Sequence, residues 1–153
     1  MNETIFTGSY SNCTHGNLIS ISFDKGKNAG FKGKSMSQLA PNYDFFKIWK
    51  NNIGKISKKK NTKYYINEYY TQVLSKIDIE ALLKDEQFPI LLCYENSNEF
   101  CHRHVLAEFI NIKYGIYVYE IEQLDDLFYK VHERPKYIRQ TLEEVMQKNS
   151  VLV

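Results

Sequence analysis

The pattern of apolar and polar positions changes its period along the chain, and each change marks a predicted element. Residues 4–10 and 18–23 show short apolar or alternating stretches typical of strands, and residues 90–94 begin with three consecutive aliphatic side chains. An unbroken apolar stretch of this kind suits a strand that is covered on both faces. The stretch IYVYEI at 116–121 follows Gly115 and predicts another strand.

Helical spacing dominates the segments between these strands. Apolar side chains recur at intervals of three and four residues within 64–77 and again between Val105 and Ile110. Shorter helices are expected at 44–49, after Pro41, and at 78–83, where Asp78 is the predicted cap.

Strands that alternate with helices predict an α/β fold. We expect a three-layer, Rossmann-like domain with a mostly parallel sheet of about four or five strands and helices on both faces. Residues 1–121 would form this single domain. Residues 122–153 carry two apolar stripes separated at Pro135, which predicts a C-terminal helical extension packed on the domain. The linker 11–17 is too short for a crossover helix, so a loop must lead to the second strand.

Composition narrows the class of protein. With 153 residues, 43% of them hydrophobic, the chain is long enough for one globular domain. No apolar run approaches the ~20 residues of a membrane span, and no signal-peptide pattern opens the chain, so a cytoplasmic protein without a membrane partner is expected. A net charge of +2 supports nucleic acid only weakly as a partner. The three cysteines are expected to be free thiols.

The side chains best suited to catalysis or ligand binding lie in residues 89–111, PILLCYENSNEFCHRHVLAEFIN. In this segment a strand, a polar turn and a helix follow one another. Cys101, His102, Arg103 and His104 open the predicted helix. Ligands of parallel sheets bind beyond the carboxyl ends of strands, where helix N-termini present unpaired N–H groups. A cysteine there is placed to have a lowered thiol pKa, and a guanidinium suits a carboxylate or phosphate. The pattern predicts a pocket for a small anionic, phosphorylated or nucleotide-like ligand.

Glu95 lies just beyond the end of the same predicted strand. It is placed to orient a histidine or to act as a general base, and its structural alternative is an ion pair with Arg103. Neighbouring strands and a glycine-containing basic loop contribute further polar side chains to the predicted pocket, namely Thr7, Ser9, Tyr10, Ser22 and Lys32. For that loop, a plain solvated turn is the favoured interpretation.

Several segments together resemble the domain of unknown function 488 family, in its shorter form. They are FTGSY near the start, ISIS in the second strand, FKGKSMSQLAPNYD, EYYTQVLSKID and LLCYENSNEFCHRHVLAEF. The last is the most specific, because two cysteines with seven residues between them precede His-Arg-His at the start of an apolar helix. The resemblance covers about residues 5–121. The loop SNCTHGN is shorter than is often found in the family, and the C-terminal segment is not covered.

The resemblance implies an α/β fold and a shared pocket, but no established reaction. Carried over position by position, it implies a set of site residues: Thr7, Ser9, Tyr10, Lys32, Gly33, Pro41, Asp44, Tyr69, Cys93, Glu95, Cys101, His102, Arg103 and His104. Of these, Cys101, His102 and Glu95 are the expected catalytic groups and the others would bind the ligand or shape the pocket.

Three functions remain open at this point. The first is an enzyme in which Cys101 is a nucleophile, a histidine carries protons and Arg103 holds an anion. The second is a zinc protein that uses Cys93 and Cys101 with His102 or His104, although no residue is assigned to a metal. The third is a non-catalytic ligand or nucleic-acid binding module. A homodimer through the C-terminal helices is a further expectation.

Overall fold

The computed structural model describes residues 4–125 and 127–150, and its centre is a single six-stranded sheet. The strands are β1 (Ile5–Ser9), β2 (Asn17–Ser20), β3 (Lys34–Ser35), β4 (Pro89–Cys93), β5 (Val118–Gln123) and β6 (Tyr129–His132). Their order across the sheet is β3-β2-β4-β1-β5-β6, and every neighbouring pair is parallel except β5 and β6. The predicted Rossmann-like α/β fold is confirmed, with six strands instead of four or five.

Within the described residues, five α-helices accompany the sheet: α1 (Tyr43–Asn52), α2 (Lys58–Gln72), α3 (Ile79–Leu83), α4 (His102–Tyr114) and α5 (Lys136–Ser150). Ser57 caps α2 by accepting a hydrogen bond from the Lys60 amide, so this helix begins six residues before its predicted start. Asp78 caps α3 as predicted, through the amide of Ala81. No helix of the described residues is long and apolar enough to cross a membrane.

Helical elements lie on both sides of the sheet, but the two layers are unequal. The larger hydrophobic core joins Ile5, Ile19 and Leu91 of the sheet to apolar residues of all five α-helices. The opposite face holds a smaller cluster around Ile90 and Leu92. The loop 10–16 and Phe31, which follows a short 3-10 turn, cover that cluster.

The loop 10–16 makes an unusual connection between two parallel strands. The loop leaves the C-terminal end of β1 and runs back to the N-terminal end of β2. Strand β4 lies between these two strands in the sheet. The prediction that a loop joins these strands is therefore correct. Gly8 permits close contact, because a Cβ atom there would lie 2.5 Å from Cys13 Sγ. Close approach of another residue to the backbone favours glycine, which has no Cβ atom.

The C-terminal segment differs from the prediction in its first half. Residues 129–132 form strand β6, antiparallel to β5, where a helix was expected. Leu127 is 83% exposed and Phe128 is 64% exposed, so their apolar spacing belongs to a solvent-facing hairpin. The second predicted helix exists as α5. Residues 126 and 151–153 of this segment lie outside the described residues.

Candidate functional site

The end of β4 and the start of α4 bring Cys93 and Cys101 together. The two residues form a disulfide, which corrects the expectation of three free thiols. Seven intervening residues form the turn that returns the chain to the sheet, so the strand end and the helix N-cap face each other. Only Cys13 is free in the described part of the chain, and burial raises its thiol pKa to about 12. Cys13 is therefore unreactive at neutral pH.

A cavity of about 520 Å³ opens beside this disulfide, beyond the carboxyl ends of β2 and β4. Its volume is in the range of small-molecule sites. Its walls are formed by Ser22, Phe23, Asp24, Asn28, Pro41, Phe46, Trp49, Lys50, Tyr65, Cys93, Tyr94, Glu95, Phe100, Cys101 and His102. The predicted site residues Ser22, Cys93, Glu95, Cys101 and His102 are thus brought together, and Pro41 joins them.

Six aromatic rings line the cavity, and neighbouring rings contact one another edge to face or at a tilt. The centroid of Phe100 lies 4.9 Å from that of Tyr65 and 5.8 Å from that of Trp49. Phe46 lies 5.8 Å from Trp49 and 5.1 Å from Phe23. Such contacts hold the rings in fixed orientations, so the cavity presents preformed apolar surfaces to a ligand.

His102 occupies the first position of α4 and reaches back to the end of the neighbouring strand. Its Nε2 lies 2.8 Å from the carbonyl oxygen of Ile21. Because a carbonyl can only accept, Nε2 carries the proton and Nδ1 keeps its lone pair, 3.9 Å from Cys101 Sγ. Burial lowers the pKa of His102 to about 4, so the ring is neutral at physiological pH.

Two carboxyl groups line the cavity, and their pKa values are shifted in opposite directions. Asp24 accepts hydrogen bonds from the Tyr94 hydroxyl and from the amides of Gly26 and Asn28. Although burial raises its pKa, these hydrogen bonds outweigh that effect and lower it. For Glu95, by contrast, burial dominates and raises the carboxyl pKa. Glu95 is therefore the carboxyl group of the cavity that is suited to exchange a proton.

Arg103 lies directly behind the disulfide and is completely buried. Its Nε and Nη2 donate to the two carboxylate oxygens of Glu120, at 3.0 Å and 2.8 Å. Its Nη1 points the other way, toward Cys93 Sγ at 3.0 Å and Cys101 Sγ at 3.5 Å. Two parallel charge-assisted bonds fix the guanidinium, so Arg103 connects the cavity wall to a buried ion pair.

Glu120 is the centre of that buried network. It accepts hydrogen bonds from Thr7 Oγ1 at 2.7 Å and from Ser97 Oγ at 2.6 Å. Burial raises the carboxyl pKa, but the hydrogen bonds and charge of Arg103 outweigh this and lower it to about 2. His104 Nδ1 lies 3.8 Å from Glu120 Oε1. Burial, together with the charge of Arg103, lowers the pKa of His104 to about 3, so this ring is neutral at physiological pH.

Six other predicted site residues do not line the cavity. Ser9 Oγ lies 3.1 Å from Ser11 Oγ, and the Tyr10 hydroxyl contacts Ser20 and Ser22, of which only Ser22 lines the cavity. Tyr69 is buried beneath His102, with ring centroids 5.8 Å apart, and donates to the Leu39 carbonyl. The remaining three are exposed, namely Lys32, Gly33 and Asp44.

Sequence reasoning missed Glu120 and all six aromatic residues that line the cavity. Glu120 shares the helix-facing side of β5 with Val118, and an ionisable residue at such a position requires a partner because an isolated buried charge is costly. The alternation of inward-facing and outward-facing positions along β5 was therefore the signal in the sequence that could have identified Glu120. The rings of Phe23, Trp49 and Phe100 come from three separate segments, and no local pattern in the sequence places them together.

The Glu120 ion pair predicts a specific loss of stability in acid. Because folding lowers the pKa of Glu120 from 4.5 to about 2, its contribution is complete above pH 4.5 and is lost as the pH falls toward 2. We expect the difference in unfolding free energy between the wild type and Glu120→Gln to shrink across this window. Urea unfolding of both proteins at a series of pH values measures it. A constant difference would contradict the assignment.

Comparison with protein families matches residues 21–114 to DUF488-N3a, described as the active DUF488-N3 subclade. The match covers more than half of the chain and includes β4, α4 and every residue that lines the cavity. No match is found among the curated proteins, and none among the solved structures. The resemblance found in the sequence is therefore confirmed, and this chain, with its disulfide, aromatic cavity and buried Arg103–Glu120 pair, belongs to the DUF488 family.

Proposed function

We propose that the protein binds a planar, nucleotide-like small molecule in the aromatic cavity and acts on it with groups at the cavity floor. The observation that carries this proposal is the composition of the wall. Six aromatic side chains surround a 520 Å³ space, and Glu95, Cys101 and His102 lie at one side of it. Ligand sites of this kind combine apolar surfaces with a few oriented polar groups.

The aromatic wall favours a flat ring system as the ligand. Stacking of a nucleobase on an aromatic side chain contributes about 1–3 kcal/mol and accepts any base. The indole of Trp49 and the ring of Phe46 provide such surfaces, and both line the cavity from α1. Asn28 and Asp24 offer polar atoms for the edge of a base.

Among the described residues that line the cavity, Lys50 is the single basic side chain of the lysine or arginine type, and it is exposed. We therefore assign the contact with an anionic or phosphorylated part of the ligand to Lys50. Arg103, which was expected to hold the anion, is fully buried and directs its Nε and Nη2 to Glu120. Its proposed role is to orient Cys93 and Cys101 from behind the cavity.

Glu95 is the proposed proton-transferring group, because burial raises its pKa toward the range useful in catalysis. The neutral ring of His102 offers the lone pair of Nδ1 as an acceptor. Cys101 can act as a nucleophile only after its bond to Cys93 is reduced. The name of the matched subclade, which describes it as active, supports a catalytic role over simple binding.

Trp49 allows a direct test, because it is the single tryptophan of the chain and it lines the cavity. We expect its fluorescence to change in a saturable way when nucleoside monophosphates are added. Phe46→Ala should weaken the binding by about 5- to 150-fold, which corresponds to about 1–3 kcal/mol of stacking. Fluorescence titration of both proteins gives the two dissociation constants.

Ile48→Ala is the matched control, because Ile48 is on the same helix but does not line the cavity. Its affinity should equal that of the wild type. Ribose 5-phosphate and inorganic phosphate serve as ligands without a base and should bind more weakly. The absence of any saturable response to purine and pyrimidine monophosphates would refute the proposed ligand class.

A binding module without turnover is the alternative function, and Glu95→Gln distinguishes the two. If the protein is an enzyme, the variant should bind the nucleotide with unchanged affinity and fail to convert it. If no conversion occurs with the wild type either, the binding module is the better description. The cytoplasmic location and the homodimer through the C-terminal helices remain predictions.

A further inference from the structure

We infer that the reduced protein binds a zinc ion at the cavity floor through Cys93, Cys101 and His102. The two Sγ atoms and a ring nitrogen of His102 all lie within 4.8 Å of one another, and His102 Nδ1 lies 3.9 Å from Cys101 Sγ. All three residues line the cavity. Two thiolates and one imidazole form a donor set that suits Zn²⁺, which binds sulfur at about 2.3 Å and nitrogen at about 2.0–2.1 Å.

The hydrogen bond of His102 prepares the ring for a metal. Its Nε2–H donates to the Ile21 carbonyl at 2.8 Å, which leaves the Nδ1 lone pair on the side of Cys101. Metal-binding histidines characteristically donate their second ring nitrogen to a carbonyl or a carboxylate, because this fixes the tautomer and the ring orientation. His102 already has this outer contact.

Arg103 supplies the corresponding outer contact for the sulfur atoms. Its Nη1 lies 3.0 Å from Cys93 Sγ and 3.5 Å from Cys101 Sγ. A guanidinium has only donors, so it stabilises these sulfurs as thiolates, the form that binds metal. Glu120 neutralises the charge of Arg103 and holds it in place. The charge of the ion is then balanced by the two thiolates.

The coordination sphere would open into the cavity. The described residues offer three close ligand atoms, and the Glu95 carboxylate lies 3.7 Å from Cys93 Sγ. Three protein ligands with a position left for water or substrate are characteristic of catalytic zinc sites, whereas structural sites use four protein ligands. The fourth position would be taken by Glu95 or by water, on the side where the proposed nucleotide binds.

The disulfide and the ion exclude each other, because zinc needs both sulfurs as thiolates. A phosphine opens the bridge in a balanced reaction: the S–S bond accepts two electrons, water provides two protons and its oxygen, and the products are two thiols and a phosphine oxide. The Cα atoms of Cys93 and Cys101 lie 7.7 Å apart, which leaves room for the sulfurs to separate around an ion. Zinc binding then releases the two thiol protons.

Zinc binding can be tested without the proposed nucleotide ligand. Untagged protein is reduced with a phosphine, loaded with zinc, freed of excess metal and analysed for zinc and protein content. We expect a single zinc ion per reduced chain and none in the oxidised wild type. Replacing zinc with cobalt(II) should give a sulfur-to-cobalt charge-transfer absorption, which a site without thiolates cannot produce.

Cys13→Ser is the matched control, because Cys13 is buried on the opposite face of the sheet and is not part of the cluster. It should bind zinc like the wild type, whereas Cys101→Ser and His102→Gln should lose stoichiometric binding. The oxidised wild type serves as a second comparison that does not depend on the folding of a variant. The inference would be overturned if the reduced wild type bound no zinc, or if the reduced and oxidised proteins bound equal amounts. It would also be overturned if Cys13→Ser lost zinc binding to the same extent as Cys101→Ser.

Discussion

The Glu120→Gln variant is expected to unfold with a free energy about 3–5 kcal/mol smaller than that of the wild type. The change removes the negative charge that neutralises Arg103, and both side chains are completely buried. A guanidinium without a counter-charge in this environment keeps its full cost of desolvation. Urea unfolding near neutral pH, followed by circular dichroism, measures the difference.

Glu122→Gln provides the control on the same strand. Glu122 Oε1 lies 2.9 Å from His132 Nε2, but both side chains are partly exposed to solvent. Exposed pairs contribute about 0–1 kcal/mol, so this variant should unfold almost like the wild type. A cost for Glu120→Gln no larger than that for Glu122→Gln would show that the buried network does not stabilise the fold.

The Leu142→Ala variant is expected to cost about 2–5 kcal/mol, because it removes a completely buried side chain of α5. Leu142, Ile138 and Val145 belong to the same hydrophobic core as strands β1 and β4, although α5 lies outside the segment that matches the family. We therefore expect the whole chain to unfold in one transition in both the wild type and the variant. Denaturant unfolding followed by two spectroscopic probes tests this.

The control for this experiment is Gln140→Ala, at an exposed position of the same helix. Its effect should stay within about 0.5 kcal/mol. If Leu142→Ala had an equally small effect, or if α5 unfolded in a separate early transition, the helix would be an appendage and not part of the core.

The strand β4 and the helix α4 could be predicted because their physical signals are local. An unbroken apolar stretch at 90–92 and a helical stripe from Val105 to Ile110 each have one dominant explanation. The failure at β6 is equally instructive. Leu124 and Phe128 have helical spacing, yet both are exposed, so their periodicity did not report burial. Periodicity identifies an element only when a core exists to receive it.

The candidate site could be located but not resolved from the sequence. Cys101 and His102 line the cavity because they follow directly from the strand–turn–helix arrangement, whereas Arg103 and His104 are buried and do not line it. The role of Arg103 depended on Glu120, which is 17 positions further along the chain and comes from another strand. The disulfide was missed because its prediction relied on the expected cellular compartment, whereas its formation depends on where the turn brings Cys93 and Cys101.

The strand order has a consequence for how this chain is able to fold. The central strand β1 pairs with β4 and β5, so its partners are synthesised more than eighty and more than one hundred residues later. The Thr7–Glu120 hydrogen bond spans 113 positions. Contacts between such distant segments slow folding, because a long loop must close before they form. During translation, β1 therefore waits without its neighbours until most of the polypeptide has left the ribosome.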